Sequence, residues 1–333
     1  SGTPFVLRAI NPDPPNDVVS SYSFTLAYSP IVPAGQTISL TDLINDGDVL
    51  SPEDADNTGQ QWRIDGTLEV DTNYIMAVSP FVAGEMNSFA MAPGARIEIL
   101  ADKELQIIRG DFYGCGGQWD RINIQSGGSL LLGNSFLEDA QVGIEMHDLS
   151  SAILWNNKMR YNDTGIGCFS DDPVQPSLEL IGGDAFNTIY DGKIGIDFNN
   201  AGLLMINQPT GFFFLDKGIQ LDNTGLELSQ VFMEDCDFMV RSISHNSVLR
   251  TNSCNFLEGS YGIYSPGGST MLEIGGEAGN FIGRFEKSGL FKGTGQIGDD
   301  TYIANNNFYS SNANISAFTG FKQGLITKNS LDA

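Results

Sequence analysis

A two-residue step, Gly followed by Ile or Leu, keeps returning along this chain. It occurs at Gly143-Ile144, Gly165-Ile166, Gly195-Ile196, Gly218-Ile219, Gly262-Ile263, Gly289-Leu290 and Gly324-Leu325, with Ser242-Ile243 as a Ser-for-Gly variant. The successive spacings are 22, 30, 23, 24, 20, 27 and 35 residues. A fixed period of this size marks a repeat architecture, in which each unit buries its apolar side only against the next. The spacing suits one turn of a three-sided β-coil, with the longer intervals read as turns carrying loop insertions. A second column of large apolar residues precedes the step at Phe136, Met159, Phe213, Phe238, Phe256 and Phe281, and is predicted to stack inside. Asparagines accompany it at Asn134, Asn156-Asn157, Asn199-Asn200, Asn223, Asn255 and Asn305 to Asn307. Asn tolerates the left-handed backbone of tight corners, and its amide can bond an equivalent residue one coil away.

Short apolar or alternating runs such as Ser129 to Leu132, Ala152 to Trp155 and Leu203 to Ile206 are punctuated by Gly, Asn, Asp and Pro, as strands are. No amphipathic run of helical period exceeds about two turns, which excludes βαβ units. The predicted fold is therefore all-β, a right-handed parallel β-helix (solenoid) over residues 61–333. Residues 1–60 lack the Gly-Ile step, and Pro4, Pro12, Pro14, Pro15, Pro30 and Pro33 crowd their first 33 positions. They are read as a strand-rich N-terminal cap or small β appendage. The final stretch, Phe318 to Thr327, has no polar finish, so the solenoid is expected to continue past Ala333, and its open ends to permit self-association.

With 41 acidic against 17 basic residues the formal charge is −24. Such a chain has no electrostatic grip on phosphate backbones or anionic lipid, so nucleic acid is excluded as a partner. No apolar window is long enough for membrane insertion. The four cysteines form no CxxC, which removes zinc ribbons and thioredoxin-type chemistry. Cys236 and Cys254 each stand two residues before a Phe and are expected in one column on neighbouring coils, within disulfide reach or as stacked thiols.

The stretches Met91-Ala-Pro-Gly-Ala-Arg-Ile-Glu-Ile, Gly114-Cys-Gly-Gly-Gln-Trp-Asp-Arg-Ile-Asn-Ile and Gly127-Gly-Ser-Leu-Leu-Leu-Gly-Asn-Ser-Phe-Leu-Glu-Asp-Ala-Gln-Val-Gly-Ile resemble the β-helix domains of large bacterial surface proteins exported by type IX secretion. The resemblance covers about residues 62 to 330 and thins after 170. It implies a module of a long, exported, multidomain protein.

Chemistry is harder to find. Glycoside hydrolysis needs carboxyl groups converging from neighbouring coils. Glu138-Asp139, Asp163, Asp171-Asp172 and Glu234, Asp235, Asp237 are the candidates, with Asp171 and Asp172 the low-ranked catalytic choice. A lyase needs a base, but histidine occurs only at His147, where Asp148 is placed to orient it, and at His245. Both are expected as plain turn residues. Gly293, Gly295 and Gly298 spell GxGxxG without the helix that would receive a pyrophosphate. No cofactor is expected. Asp54-Ala-Asp56-Asn-Thr58-Gly59, with Asp65 beyond it, partly matches a Ca²⁺ loop, although a polar linker is the simpler reading. Trp155 and the Phe212 to Phe214 run could stack on sugar rings if exposed, but a β-helix core consumes most aromatics and they are assigned mainly to it. The expected function is a non-catalytic extracellular or cell-surface structural or adhesive module, binding polysaccharide or other secreted proteins. The alternative is a polysaccharide lyase or glycoside hydrolase on the same scaffold.

Overall fold

The computed structural model describes residues 4–10, 18–25, 29–51, 60–77, 86–170, 176–182, 186–243, 248–266, 271–275, 279–292, 300–309, 315–317, 323–327 and 330–332. Strands recurring once per coil pair in parallel and sort into three columns. The first runs from Gln61–Ile64 through Asn87–Met91, Gly110–Gly114, Phe136–Glu138 and Lys158–Arg160, then continues along every later coil to Ser330–Asp332. The second starts at Thr37–Ser39 and passes through Thr67–Val70, Arg96–Ile99, Trp119–Ile124, Ala140–Met146 and Thr164–Phe169 towards Ile315–Ala317. The third holds Tyr74–Ala77, Glu104–Ile108, Ser129–Gly133, Ser151–Trp155 and Ser177–Ile181 as one sheet. It resumes at residues 202–206 and extends to Gln323–Thr327. This is the parallel β-solenoid that the repeat predicts. Pro4–Ile10 and Val18–Thr25 form a separate antiparallel pair.

The Gly-Ile step explains the second sheet. Ile122, Ile144, Ile166, Ile196, Ile219, Val240, Ile263 and Leu290 stack in register and are fully buried. Each such side chain contributes roughly 1.5–3 kcal/mol on leaving water. The preceding glycine has a separate cause. A Cβ at Gly143, Gly165 or Gly195 would lie 2.6, 2.7 and 2.4 Å from the glycine carbonyl oxygen of the next coil. Two members of the predicted series are corrected. The residues in this register on their coil are Met239-Val240, whereas Ser242 lies two positions on and Ile243 is 42% exposed. Gly324-Leu325 belongs to the third sheet opposite Thr301-Tyr302, and Ile315 follows Leu290 in the column.

The aromatic column is also shifted. Met159 and Phe256 are buried as expected, but the core beside Phe136, Phe213 and Phe281 is filled by Leu137, Phe212 and Ile282. Adjacent strand residues point to opposite faces, so a one-residue error in register exchanges inside for outside. At the N-terminal end the interior is aromatic. Phe89 and Phe112 stack at 4.1 Å, with Trp62 edge-on to Phe89 at 5.4 Å and Trp119 6.4 Å beyond Phe112.

Asparagine fixes two corners of the coil. Asn134, Asn156, Asn200 and Asn223 adopt positive φ of 51–52°, and their exposed amides bond from coil to coil, Asn156 to Asn134 at 2.6 Å and Asn223 to Asn200 at 2.9 Å. Inside the first corner runs a buried ladder. Asn157 Oδ1 accepts from the Ser135 N–H, and Asn187 Oδ1 from that of Asn157, both at 3.0 Å. Asn280 and Asn306 repeat the arrangement at 2.9 and 3.1 Å.

A helix, Leu40–Asp46, packs on the second sheet's first strands. Ser39 caps it by accepting from the Asp42 N–H at 3.1 Å, Gly47 ends it at φ 77°, and Leu40 and Leu43 enter the core. All four cysteines are buried and unpaired. Cys236 and Cys254 do not share a column. Cys236 follows the corner residue Asp235 at the end of a first-sheet strand, and Cys254 follows Ser253 at the opposite corner, before such a strand begins. Phe238 and Phe256, which suggested their equivalence, start strands of different sheets.

Candidate functional site

Because outward side chains repeat about every 4.8 Å from coil to coil, chemistry on this surface comes from residues one turn apart. On the first sheet, Asp111 aligns with Phe136, and Glu138 with Arg160, to which it is ion-paired. Asp139 sits at the corner with φ 62° and accepts a bond from the Gly114 N–H. Burial, then the Glu138 charge, pushes the Asp111 carboxyl above its ordinary range against the pull of Arg160. The same two causes raise Asp139, opposed by the Gly114 bond and by Arg160. One ion-paired carboxylate thus adjoins two carboxyl groups held towards the protonated form, which is the separation of roles that acid–base chemistry uses. Asp111 went unnoticed in the sequence; its 25-residue offset from Phe136 was the available signal.

The second sheet carries a denser network. Arg121 pairs with Glu145 one coil on and with Asp120 at 2.8 Å, while Arg96 meets Glu98 at 3.1 Å. Asn123 donates to Glu98 at 2.6 Å. His147 Nε2 lies 2.9 Å from Asn123 Oδ1 and 3.2 Å from Glu145 Oε1. The carboxylate that orients His147 is therefore Glu145; Asp148 accepts instead from the Ser170 hydroxyl. The Glu145 hydrogen bond raises the His147 pKa despite burial, so the imidazole is held towards its cation. Glu145 is shifted down: burial opposes ionisation, but His147 and Arg121 together outweigh it.

The remaining candidates are spread out. Asp163 is paired with Lys193 at 2.8 Å and accepts from Gln118 at 3.2 Å, and the Lys193 bond holds its carboxyl below the usual range. Asp235 and Asp237 line a depression of about 400 Å³ with Glu258, Arg284 and Glu286. Arg284 pairs there with Glu258 and reaches Glu234 at 3.9 Å. Asp171, Asp172, Asp54, Asp56, His245, Gly293, Gly295 and Gly298 lie outside the described residues. Both carboxylate oxygens of Asp65 are taken by Arg63, at 2.9 and 2.8 Å. Among the described residues no group of three or more His, Cys, Asp or Glu side chains could hold a metal ion. No described helix is long and apolar enough to cross a membrane.

On the third sheet Trp155 is not in the core. It aligns with Gly133 on one side and Ile181 on the other, on the row that faces away from Leu132, Leu154 and Leu180. Phe212 is fully buried, whereas Phe214 is a corner residue, 58% exposed.

Fold and surface together define a parallel β-solenoid whose outer faces carry cross-coil polar and aromatic groups. No family model matches the chain, and neither does any curated protein. One solved structure to which it is similar is a double mutant of the periplasmic alginate epimerase AlgG. The alignment covers 90% of this chain and 84% of that one, with 11% identity and a TM-score of 0.47. At that distance the likeness carries no argument about activity.

Proposed function

We propose that this chain is a non-catalytic, extracellular or cell-surface module, a β-helical rod within a larger protein of the type IX exported kind, which presents its faces to polysaccharide. One observation carries the reading. Three arginines of the outer faces are spent on carboxylates of neighbouring coils: Arg250 lies between Glu227 and Glu273, Arg284 pairs with Glu258 on the preceding coil and reaches Glu234 on the one before, and Arg121 pairs with Glu145 on the next coil and with Asp120 beside it. Charges committed to lacing one coil to the next maintain the rod; a catalyst holds such groups ready for substrate. Affinity electrophoresis in gels containing neutral and uronate-rich polysaccharides tests the reading, alongside reducing-end release and absorbance of unsaturated products. Retardation without cleavage is expected, and turnover of any polymer would overturn the non-catalytic assignment.

A specific feature favours the hydrolase as second reading, namely Asp111 and Asp139 held towards protonation beside Glu138. On that reading one of the pair donates a proton to the leaving oxygen while Glu138 serves as base or nucleophile. Cleavage abolished by Asp111→Asn and by Glu138→Gln would establish it.

A further inference from the structure

The three tryptophans are used differently. Trp62 and Trp119 are buried, and their indole N–H groups donate internally, to Gln60 Oε1 at 2.8 Å and to the Glu138 carbonyl at 2.6 Å. Trp155 stands on the outer face, half-buried, and its N–H has no partner among the described residues. Its ring lies over Gly133 of the preceding coil, where a Cβ would be 2.0 Å from both Cε2 and Cζ2. One face of the indole therefore rests on the sheet, and the other is turned outward.

This distinguishes Trp155 from the aromatic stripe on the second sheet. There Phe238 stacks on Tyr261 at 5.2 Å and Tyr264 on Phe291 at 4.9 Å, nearly parallel, so those rings cover one another's faces. Such a stack has only edges to offer a ligand. Trp155 instead stacks on no other aromatic ring among the described residues and keeps part of its surface exposed.

Its surroundings supply the rest of a sugar site. Ile108 and Ile181 flank it along the axis, and Leu131 and Ile153 lie on the adjacent row, which ends in Gln106 and Glu179. At the corner beside the ring, the Asn156 Nδ2 to Asn134 Oδ1 bond leaves Asn134 Nδ2 and Asn156 Oδ1 without a partner among the described residues. An apolar platform with one indole N–H, one amide donor and one amide acceptor at its edge matches a pyranose ring, which has a C–H face and a rim of hydroxyls. Charge selects among sugars. Glu104 and Glu179 share this face, with Lys103 and Arg109 at its two corners, on a chain of net charge −24. A polyuronate would meet like charge there.

We infer that Trp155, with Asn134 and Asn156, forms a subsite for one ring of an uncharged polysaccharide. The inference rests on the polysaccharide-binding reading and locates its contact. It is tested by titrating the full chain with gluco-, xylo- and mannohexaose and with hexagalacturonate. Indole fluorescence and calorimetry report binding, sedimentation the association state, and circular dichroism the folding of each variant. At least one neutral hexasaccharide should bind and perturb the fluorescence. Trp155→Ala should weaken it about tenfold, and Trp155→Phe less. Gly133→Ala, which keeps the indole but unseats it, should weaken it as well. Hexagalacturonate should bind at least about tenfold less tightly than the neutral ligand. Neutral binding unchanged in Trp155→Ala would overturn the subsite and leave the polysaccharide reading intact. Absence of binding to any of the four ligands by the unaltered chain would overturn both. A dimer abolished by Trp155→Ala would instead make this face a contact between copies, and preferred binding of hexagalacturonate would refute the selection for uncharged sugars.

Discussion

Replacing Asn157 by Ala tests the buried amide ladder most directly. The side chain is fully buried, accepts from the Ser135 N–H at 3.0 Å and donates to the Leu132 carbonyl at 2.9 Å. Alanine leaves the Ser135 N–H in the interior without a partner, which costs about 1–3 kcal/mol, and removes a bond to the Leu132 carbonyl, which stays within the parallel ladder. The Asn157 N–H keeps its bond to Asn187 Oδ1, so one donor is orphaned and one further hydrogen bond of about 1 kcal/mol is lost, for an expected total of about 3 kcal/mol. With a urea slope near 3 kcal/mol/M, the midpoint falls by about 1 M. Asn157→Asp should be at least as damaging, because it brings a carboxylate against the Leu132 carbonyl and Asn187 Oδ1, which now receive the amide nitrogen. Asn134→Gly is the control. It breaks the exposed amide pair but suits the positive φ of 51°, and should change stability by under about 0.5 kcal/mol. Urea unfolding followed by tryptophan fluorescence gives the energies, and hydrogen exchange at the Ser135 amide gives the local effect. A loss below about 0.5 kcal/mol for Asn157→Ala, with that amide still protected, would refute the idea that the ladder satisfies the corner.

Gly165→Ala should cost about 1–3 kcal/mol in the same assay, since its Cβ would be 2.7 Å from the Gly195 carbonyl oxygen and 2.9 Å from Ile189 Cγ2. His147 has a raised folded pKa, so its stabilising contribution is complete below about pH 6.5 and is lost as pH rises through the folded value. His147→Gln should remove that alkaline decline, and screening at this half-exposed site keeps the effect under about 1 kcal/mol. Asp111 also has a raised folded pKa, but it is an acid, so wild-type stability falls as pH climbs from the ordinary carboxylate value through the raised one. Asp111→Asn is therefore expected to raise the neutral-pH urea midpoint, and an unchanged or lower midpoint would count against the burial of that carboxyl. Burial pushes Cys236 up to about 12 and Cys254 up to about 11, so iodoacetamide at pH 8 should label neither until the chain unfolds, as read by mass spectrometry.

The solenoid was legible because its two strictest demands leave a mark in sequence. A carbonyl oxygen of the next coil lies 2.3–2.7 Å from the Cβ position of Gly143, Gly165, Gly195, Gly218 and Gly262, and an Ile side chain follows each into the core. The register of other positions was less legible. Phe136 and Leu137 are both large and apolar, and sequence alone does not say which faces in. The polar surface was hidden for another reason. Its partners are one coil apart, yet that distance is 22 residues for Glu138 and Arg160, 24 for Arg121 and Glu145, and 30 for Asn157 and Asn187, where an insertion intervenes. No constant offset recovers these pairs. His147 illustrates the consequence, since Asp148 beside it in sequence was the expected partner, whereas Asn123 and Glu145 hold it.

Stacking coils also limits where a solenoid can place specific chemistry. Each outward residue has neighbours above and below at strand spacing, so opposite charges there pair with one another, as Glu227, Arg250 and Glu273 do. A site that faces outward needs a position where the ladder is interrupted. Gly133 is such a position. It is the last residue of its strand, directly before the corner residue Asn134, and its own φ is not positive, so the backbone does not require glycine there. What its missing side chain does accommodate is the Trp155 indole, which would otherwise have to stand away from the sheet. The pair is thus better explained by the need to hold one aromatic face flat and open than by the stability of the rod.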